Sequence, residues 1–255
     1  MTIRDDHVLA ADLATQAGEL LLALRDKRGF DDPAALRAEG DSSAHRLLMD
    51  ALATSRPGDS VLSEEATQDE RLDPRRLTAE RVWIVDPLDG TREFAEEGRD
   101  DWAVHVALWE NGALRAGAVA LPAAGTTLST LEPPVLPQLT AGTRPKIAVS
   151  RSRPPEFVVE LARRTGADLV PIGSAGAKIS AVLTGRVEAY VHAGGQYEWD
   201  SAAPVAVALA SGAHASRIDG SPLTYNQGDP SLPDILVSLP GLAPTLLAGI
   251  RDLHR

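Results

Sequence analysis

Apolar residues recur at helical spacing near the start of the chain: Leu9, Leu13, Ala17, Leu20 and Leu24 fall on one stripe and predict an amphipathic helix over 5–28. A second stripe, Leu47, Leu48, Ala51 and Leu52, predicts another over 42–55. Then the period shortens. Val61-Leu62 reads as a short strand, and the β-branched run Val82, Ile84, Val85 as a buried strand that stops at Asp86-Pro87. Alternation over 102–109, 116–121 and 126–131, with a turn at Asn111-Gly112, predicts an antiparallel meander. The Pro-rich stretch 132–145 reads as a linker, dividing the chain into a helix-backed, mostly antiparallel half over 1–135 and a second half over 146–255.

The second half changes rhythm to α/β alternation. Strands are predicted at 146–150, 168–172, 187–192 and 235–238, and helices at 155–165, 175–183, 202–211 and the C-terminus, with a hairpin-like stretch leading to Tyr225. There is no internal repeat.

Composition narrows the class. With 255 residues and 44% hydrophobic content the chain builds a substantial globular core. The absence of cysteine excludes disulfides, zinc-thiolate sites and thiol nucleophiles, and fits a reducing, cytoplasmic location. The N-terminal stretch carries acids inside an amphipathic pattern, unlike a signal peptide, and no run reaches the roughly 18 apolar residues of a membrane span. The 36 acids against 25 bases leave a net charge of -11, which repels nucleic acid polymers. A small anionic substrate must therefore be attracted locally, by bound cations and a few basic side chains.

The segment VWIVDPLDGTREF, Val82 to Phe94, concentrates the chemistry. The strand ends in Asp86, the Pro87 to Gly90 turn carries Asp89 close by, and Thr91 to Phe94 reads as the first turn of a helix, whose free N–H groups suit a phosphate beside a cation held by the two aspartates. Taken alone, the segment reads equally well as an Asp-Gly turn and a helix cap. It is no EF-hand, because Leu88 and Gly90 stand where that loop needs ligands. Four other places bear on it: the acidic pair Glu64-Glu65 after the short strand; Glu198-Trp199-Asp200 before a helix; Asp41 before the second helix; and the small-residue turn GSAGAK, Gly173 to Lys178. The last is not a P-loop, since Lys178 does not follow the glycine and Ile179 replaces Ser or Thr.

Together Glu64-Glu65, DPLDGT (Asp86 to Thr91) and WDSAAP (Trp199 to Pro204), in that order and spacing, resemble the inositol monophosphatase superfamily of metal-dependent, lithium-sensitive phosphatases over essentially the whole chain. The Arg-Glu-Phe after DPLDGT, the GSAGAK turn, HAGGQYEWDSAAP and SPLTYN (Ser221 to Asn226) are most similar to CysQ-type 3'(2'),5'-bisphosphate nucleotidases. The resemblance implies a layered αβαβα sandwich. It makes Glu64, Asp86, Asp89 and Asp200, with the Leu88 carbonyl, the ligands of two or three Mg2+ ions, Mn2+ being possible; all-oxygen ligation suits these ions rather than zinc. Thr91 and Asp41 would orient and deprotonate a metal-bound water, and Glu65 would support them from behind. Around Asp41 the chain reads Arg37-Ala38-Glu39-Gly40-Asp41, which departs from the family's Thr-x-x-Asp. The N–H groups of Gly90 and Thr91 would hold the phosphate, with Gly173, Ser174, Lys178 and Glu198 at the rest of the substrate; Lys178 and Arg217 are candidates for a second phosphate.

Physics favours the same clustering. Two carboxylates about 5 Å apart at an effective dielectric of about 20 repel by roughly 3 kcal/mol, so four converging acids need cations. The resemblance implies hydrolysis of 3'-phosphoadenosine 5'-phosphate to AMP and phosphate, in sulfate assimilation, by a monomer or homodimer. Inositol 1-phosphate and fructose 1,6-bisphosphate remain alternative substrates, and a metal-binding protein without turnover is the alternative of another class.

Overall fold

The computed structural model describes residues 5–139 and 142–253. Two helices open the chain, α1 (Asp6–Arg28) and α2 (Pro33–Ser55). β1 (Ser60–Ser63), the short helices α3 (Gln68–Arg71) and α4 (Pro74–Thr78), β2 (Arg81–Asp89), the single turn α5 (Thr91–Phe94), β3 (Ala103–Glu110), β4 (Ala113–Leu121) and β5 (Thr126–Ser129) follow. After the stretch that includes the Pro-rich segment come β6 (Lys146–Ser150), α6 (Glu156–Thr165), β7 (Asp168–Ile172), α7 (Ala175–Leu183), β8 (Ala189–Tyr197), α8 (Glu198–Ala210), β9 (His214–Ser216), β10 (Ser231–Ser238) and α9 (Ala243–Leu253).

The first sheet runs β1-β2-β3-β4-β5, antiparallel apart from the β1/β2 pair. The second runs β7-β6-β8-β10-β9, parallel around β6 and antiparallel around β10. The Asn111-Gly112 turn forms as expected, both residues taking positive φ (47° and 88°), which a two-residue hairpin needs.

Alternation along the strands assigns the layers. Val82 and Ile84 of β2 pack with Tyr190, Ile235 and Val237 of the second sheet around α7 and α8. Trp83 and Val85 face α1 and α2. On the far side Ile147, Val149, Val191 and Leu236 bury against α6 and α9. The result is the αβαβα sandwich that the resemblance implied, with both sheets covered on both faces and one core running between them through α7 and α8.

Of the boundaries that differ from the sequence reading, three move a functional residue. α2 starts nine residues earlier than predicted, capped by Asp32, which accepts from Ala35 N, with Pro33 in the first turn, so Asp41 sits inside the helix rather than before it. β2 runs through Pro87 to Asp89 instead of ending at Asp86. α8 starts at Glu198, so Asp200 lies in its first turn, not ahead of it. There the Asp200 carboxylate accepts from Tyr197 N at 2.7 Å, which closes the helix start.

Candidate active site

A regular strand throws residues three apart onto opposite faces, so Asp86 and Asp89 meet only because β2 is irregular. The register pairs Asp86 with His105 and Asp89 with Ala103, three steps on one strand against two on the other. Pro87 has no N–H to keep the ladder, and Leu88 N donates instead to Asp86 Oδ1 at 3.0 Å. The extra residue swings Asp89 onto the face of Asp86. Ligand atoms of Asp86, Asp89 and His105 then lie within 4.8 Å of one another, all three residues buried.

Parallel pairing of β1 with β2 sets Ser63 beside Val85, so Glu64 arrives next to Asp86, its N–H donating to Val85 O at 3.3 Å. Burial raises the Glu64 carboxyl above the usual range, a hydrogen bond with Asp86 opposes this, and Asp89 and Glu65 add to it. Burial likewise lifts Asp86 well up, reinforced by Glu64, Asp89 and Asp200. Asp200 comes in on α8, its carboxyl pushed up to about 7 by burial and by the Asp89 charge. The four acids converge, and each except Asp89 is held where its ionised form is unfavourable.

Asp89 differs because other groups support its charge. Its oxygens accept from Ala175 N (3.2 Å) and Gly176 N (2.6 Å) at the start of α7, and His105 Nε2 lies 3.2 Å from Oδ2. Burial would raise its carboxyl, but His105 and Gly176 outweigh that and hold it low. Burial would lower His105 in turn, and Asp89 raises it.

Asp41 reaches the acids through Gly40. A side chain at 40 would stand 2.8 Å from Phe94 Cε1 and 3.0 Å from Leu88 Cδ2, so its absence lets α2 lie against the turn after β2. The Asp41 carboxyl is pushed up to about 7, by burial first and then by Glu65 and Glu64. Thr91 Oγ1 donates to the Leu88 carbonyl at 3.3 Å, and Gly90 takes φ +86° at the start of α5.

The small-residue turn does something other than expected. It lines the cleft, yet its N–H groups are already engaged: Gly173 with Asp101 Oδ2 (2.6 Å), Ser174 with Asp101 O (3.0 Å), Ala175 and Gly176 with Asp89, and Ala177 with Ser174 Oγ (2.9 Å). The turn anchors Asp89 more than it offers donors. Lys178, 4% exposed, donates to Gly173 O at 2.5 Å and lies 5.4 Å from the Tyr190 ring, its pKa lowered by burial. It lines a cleft of about 840 Å³ shared with Asp89, Gly90 and Asp200 and rimmed by Arg37, Arg92, Arg151 and Arg153. Arg151 is paired with Glu93 and Glu96, so Arg37, Arg92, Arg153 and Lys178 carry the local positive charge on this acidic protein.

Two candidates lie outside that cleft. Glu198 accepts from Asn226 N (2.6 Å) and Gln227 N (2.7 Å), so its carboxylate holds the loop before β10 instead of lining the cleft. Arg217 makes a two-point pair with Asp234 (2.8 and 2.6 Å), which explains its position without a phosphate. Sequence reasoning missed His105, Asp101 and Arg76. His105 is an ordinary member of an alternating strand, and only the register that sets it across from Asp86 marks it.

The residues suit a divalent cation. Asp86 Oδ2 is buried without a hydrogen-bond partner, and the carboxylate donor set is the one hard cations take. No helix among the described residues is long and apolar enough to cross a membrane.

The chain is similar to known proteins over nearly its whole length. The chain is 52% identical to the 3'-phosphoadenosine 5'-phosphate phosphatase of Mycobacterium leprae, covering 97% of this chain and 94% of that one. It is 33% identical to the 3'(2'),5'-bisphosphate nucleotidase CysQ of Escherichia coli, covering 72% and 77%. Among solved structures, Mycobacterium tuberculosis SuhB superposes with a TM-score of 0.71 at 26% identity over 96% of this chain and 95% of that one. The model of the inositol monophosphatase family matches residues 6–251, from the first helix into α9, and the chain belongs to that family of phosphatases.

Proposed function

We propose that this protein is a Mg2+-dependent phosphomonoesterase that removes the 3'-phosphate of 3'-phosphoadenosine 5'-phosphate, giving AMP and phosphate in a reducing, cytoplasmic setting. The observation that carries the reading is the convergence of Glu64, Asp86, Asp89 and Asp200, of which Asp89 and Asp200 line a cleft that also holds buried Lys178. The 52% identity to phosphatases named for that substrate supports the nucleotide.

Glu64, Asp86, Asp89, Asp200 and the Leu88 carbonyl would hold two or three Mg2+ ions, with Mn2+ able to replace them. When bound, such ions supply Lewis acidity toward the phosphate and toward an attacking water. The chain's own groups do the rest. Asp41, its carboxyl near 7, has a pKa suited to accepting a proton close to neutrality, and Thr91 Oγ1 is the intermediary toward it. Gly90 and Thr91 N–H groups hold the transferred phosphate, Gly173 and Ser174 wall the cleft, and Lys178 meets the second phosphate together with the arginine rim. No serine, histidine or cysteine nucleophile is invoked, so the attack is direct and in line.

Phosphate release from 3'-phosphoadenosine 5'-phosphate, inositol 1-phosphate and fructose 1,6-bisphosphate, measured in parallel with Mg2+, tests this. A kcat/KM at least tenfold higher for the nucleotide, about 1.4 kcal/mol of transition-state preference, is the expected result. Equal or higher values for inositol or sugar phosphates would keep the metal chemistry and overturn the substrate. No release from any of the three would overturn the phosphatase reading itself.

A further inference from the structure

Lys178 takes its place in the cleft from a turn that leaves an edge strand. β7 lies at the edge of the second sheet, bonded to β6, and the segment Gly173 to Lys178 leads from its end into α7. The Lys178 ammonium donates to the Gly173 carbonyl at 2.5 Å, so its charge is tied to that residue. The other side of Gly173 is held from the first sheet. Gly173 N donates to Asp101 Oδ2 at 2.6 Å, and Ser174 N to the Asp101 carbonyl at 3.0 Å. Asp101 is buried two residues before β3 and is itself fixed by an ion pair with Arg99, whose carbonyl accepts from buried Arg25 at 3.1 Å. The fit leaves no room for a side chain at 173: a Cβ there would overlap the Glu93 side chain and stand 2.9 Å from the Asp101 carbonyl. Asp89 holds the next two N–H groups, Ala175 and Gly176, so the metal end of the turn has an anchor of its own.

We propose that Asp101 is a positioning residue for substrate selectivity: by taking the Gly173 and Ser174 N–H groups it docks the turn of the second sheet against the first, and so sets how far Lys178 stands from the converging acids. That distance is the spacing between two phosphates that the cleft accepts. The inference rests on the reading of Lys178 as the contact of the second phosphate. Asp101 acts through Lys178 and does not touch the substrate, so its effect belongs to bisphosphates and not to monophosphates. A misplacement of about 1 Å at a substrate contact can cost on the order of 100-fold.

The test compares kcat/KM for 3'-phosphoadenosine 5'-phosphate with that for 3'-AMP, which lacks the second phosphate, using the whole protein with Mg2+. The ratio of the two values is the readout. Lys178→Met is expected to lower it by about 10-fold or more, and Asp101→Ala to lower it as far, through the KM of the bisphosphate. Asp101→Asn keeps an oxygen for Gly173 N, and its amide nitrogen replaces Oδ1, which has no hydrogen-bond partner among the described residues. Its ratio should stay within about threefold of wild type. The double variant Asp101→Ala/Lys178→Met should fall no lower than Lys178→Met alone, because both changes act through one contact. Should Asp101→Ala not fold, Asp101→Ser, whose hydroxyl stops short of Gly173 N, carries the same expectation. A ratio lowered in Lys178→Met but unchanged in Asp101→Ala overturns the positioning. So do losses that multiply in the double variant, or an Asp101→Asn ratio as low as that of Asp101→Ala. A Lys178→Met ratio equal to wild type would instead defeat the second-phosphate reading of Lys178, and no phosphate release from either substrate by wild type would defeat the phosphatase reading, two outcomes distinct from the others.

Discussion

Gly176 cedes its side-chain space to His105: a Cβ at 176 would overlap the imidazole Nε2 and come within 3.1 Å of Ala103 Cβ. Neither neighbour is at the flexible end of a long side chain, since His105 is tied to Trp199 O and Ala103 is in β3. Gly176→Ala should therefore lower stability by about 1–3 kcal/mol, although alanine is the better helix former. Urea unfolding of the metal-free protein checks this, and an unchanged midpoint would mean that the ring moves freely.

Stability of the metal-free protein should fall as pH rises from 5 to 8. Asp200 and Asp41 are pushed up to about 7, and Glu64 and Asp86 are raised, while unfolded carboxylates titrate near 4. Below about 4 the groups are protonated in both states. Above that the unfolded chain loses its protons first, the native state binds more, and stability declines until these acids have ionised past 7. Mg2+ binds the ionised acids, so its stabilising effect should be largest near pH 8 and small near pH 5. Melting curves with chelator and with Mg2+ across this range would show it; a chelated protein that grew steadily more stable up to pH 8 would contradict the convergence of these acids.

Asp200→Asn should separate activity from stability. The amide oxygen can still accept from Tyr197 N and close the start of α8, while the raised carboxyl, a liability without metal, is gone. Turnover is expected to drop at least 100-fold with a metal-free melting temperature equal to or above that of wild type. Near-normal turnover would remove Asp200 from the ligand set.

Gly40→Ala reverses the usual preference of a helix interior. Alanine at an ordinary position gains about 1 kcal/mol over glycine, but here the new Cβ meets Phe94 Cε1 at 2.8 Å and Leu88 Cδ2 at 3.0 Å. The helix must back away and carry Asp41 with it. A fall in kcat with metal affinity little changed is expected in steady-state assays over a range of Mg2+.

Arg76, 2% exposed, ties α4 to the far end of the chain through Asn226 Oδ1 (2.5 Å) and Gln227 O (2.9 Å). Glu198 braces the same two residues from below, and Arg76 moderates the upward push that burial gives its carboxyl. Arg76→Met leaves Asn226 Oδ1 and the Arg71 and Gln227 carbonyls without their donor and should cost about 1–3 kcal/mol in chemical denaturation.

Much of this molecule is legible in its sequence, because period and local chemistry are local properties. β6, β7 and α7 have the limits that alternation and the small-residue turn predicted, and DPLDGT with WDSAAP marked the acids and the family. Boundaries failed where a distant partner decided them. Nothing nearby shows that Pro87 and Leu88 are absorbed in a bulge, since β3 supplies the register; nothing near Glu198 shows that its carboxylate is taken by residues 226 and 227.

The sequence by itself determined the α/β alternation and the acidic residues, because these follow from residue type and spacing, and its motifs resemble those of the inositol monophosphatase family closely enough to imply the layered sandwich and the metal-dependent phosphatase chemistry. Only the tertiary structure decided that Asp86 and Asp89 share a face, that α7 gives its first N–H groups to Asp89, and that His105 stands behind them. Each depends on which strand or helix packs beside which, a long-range choice made by burial of the whole core and not encoded at the residues that use it.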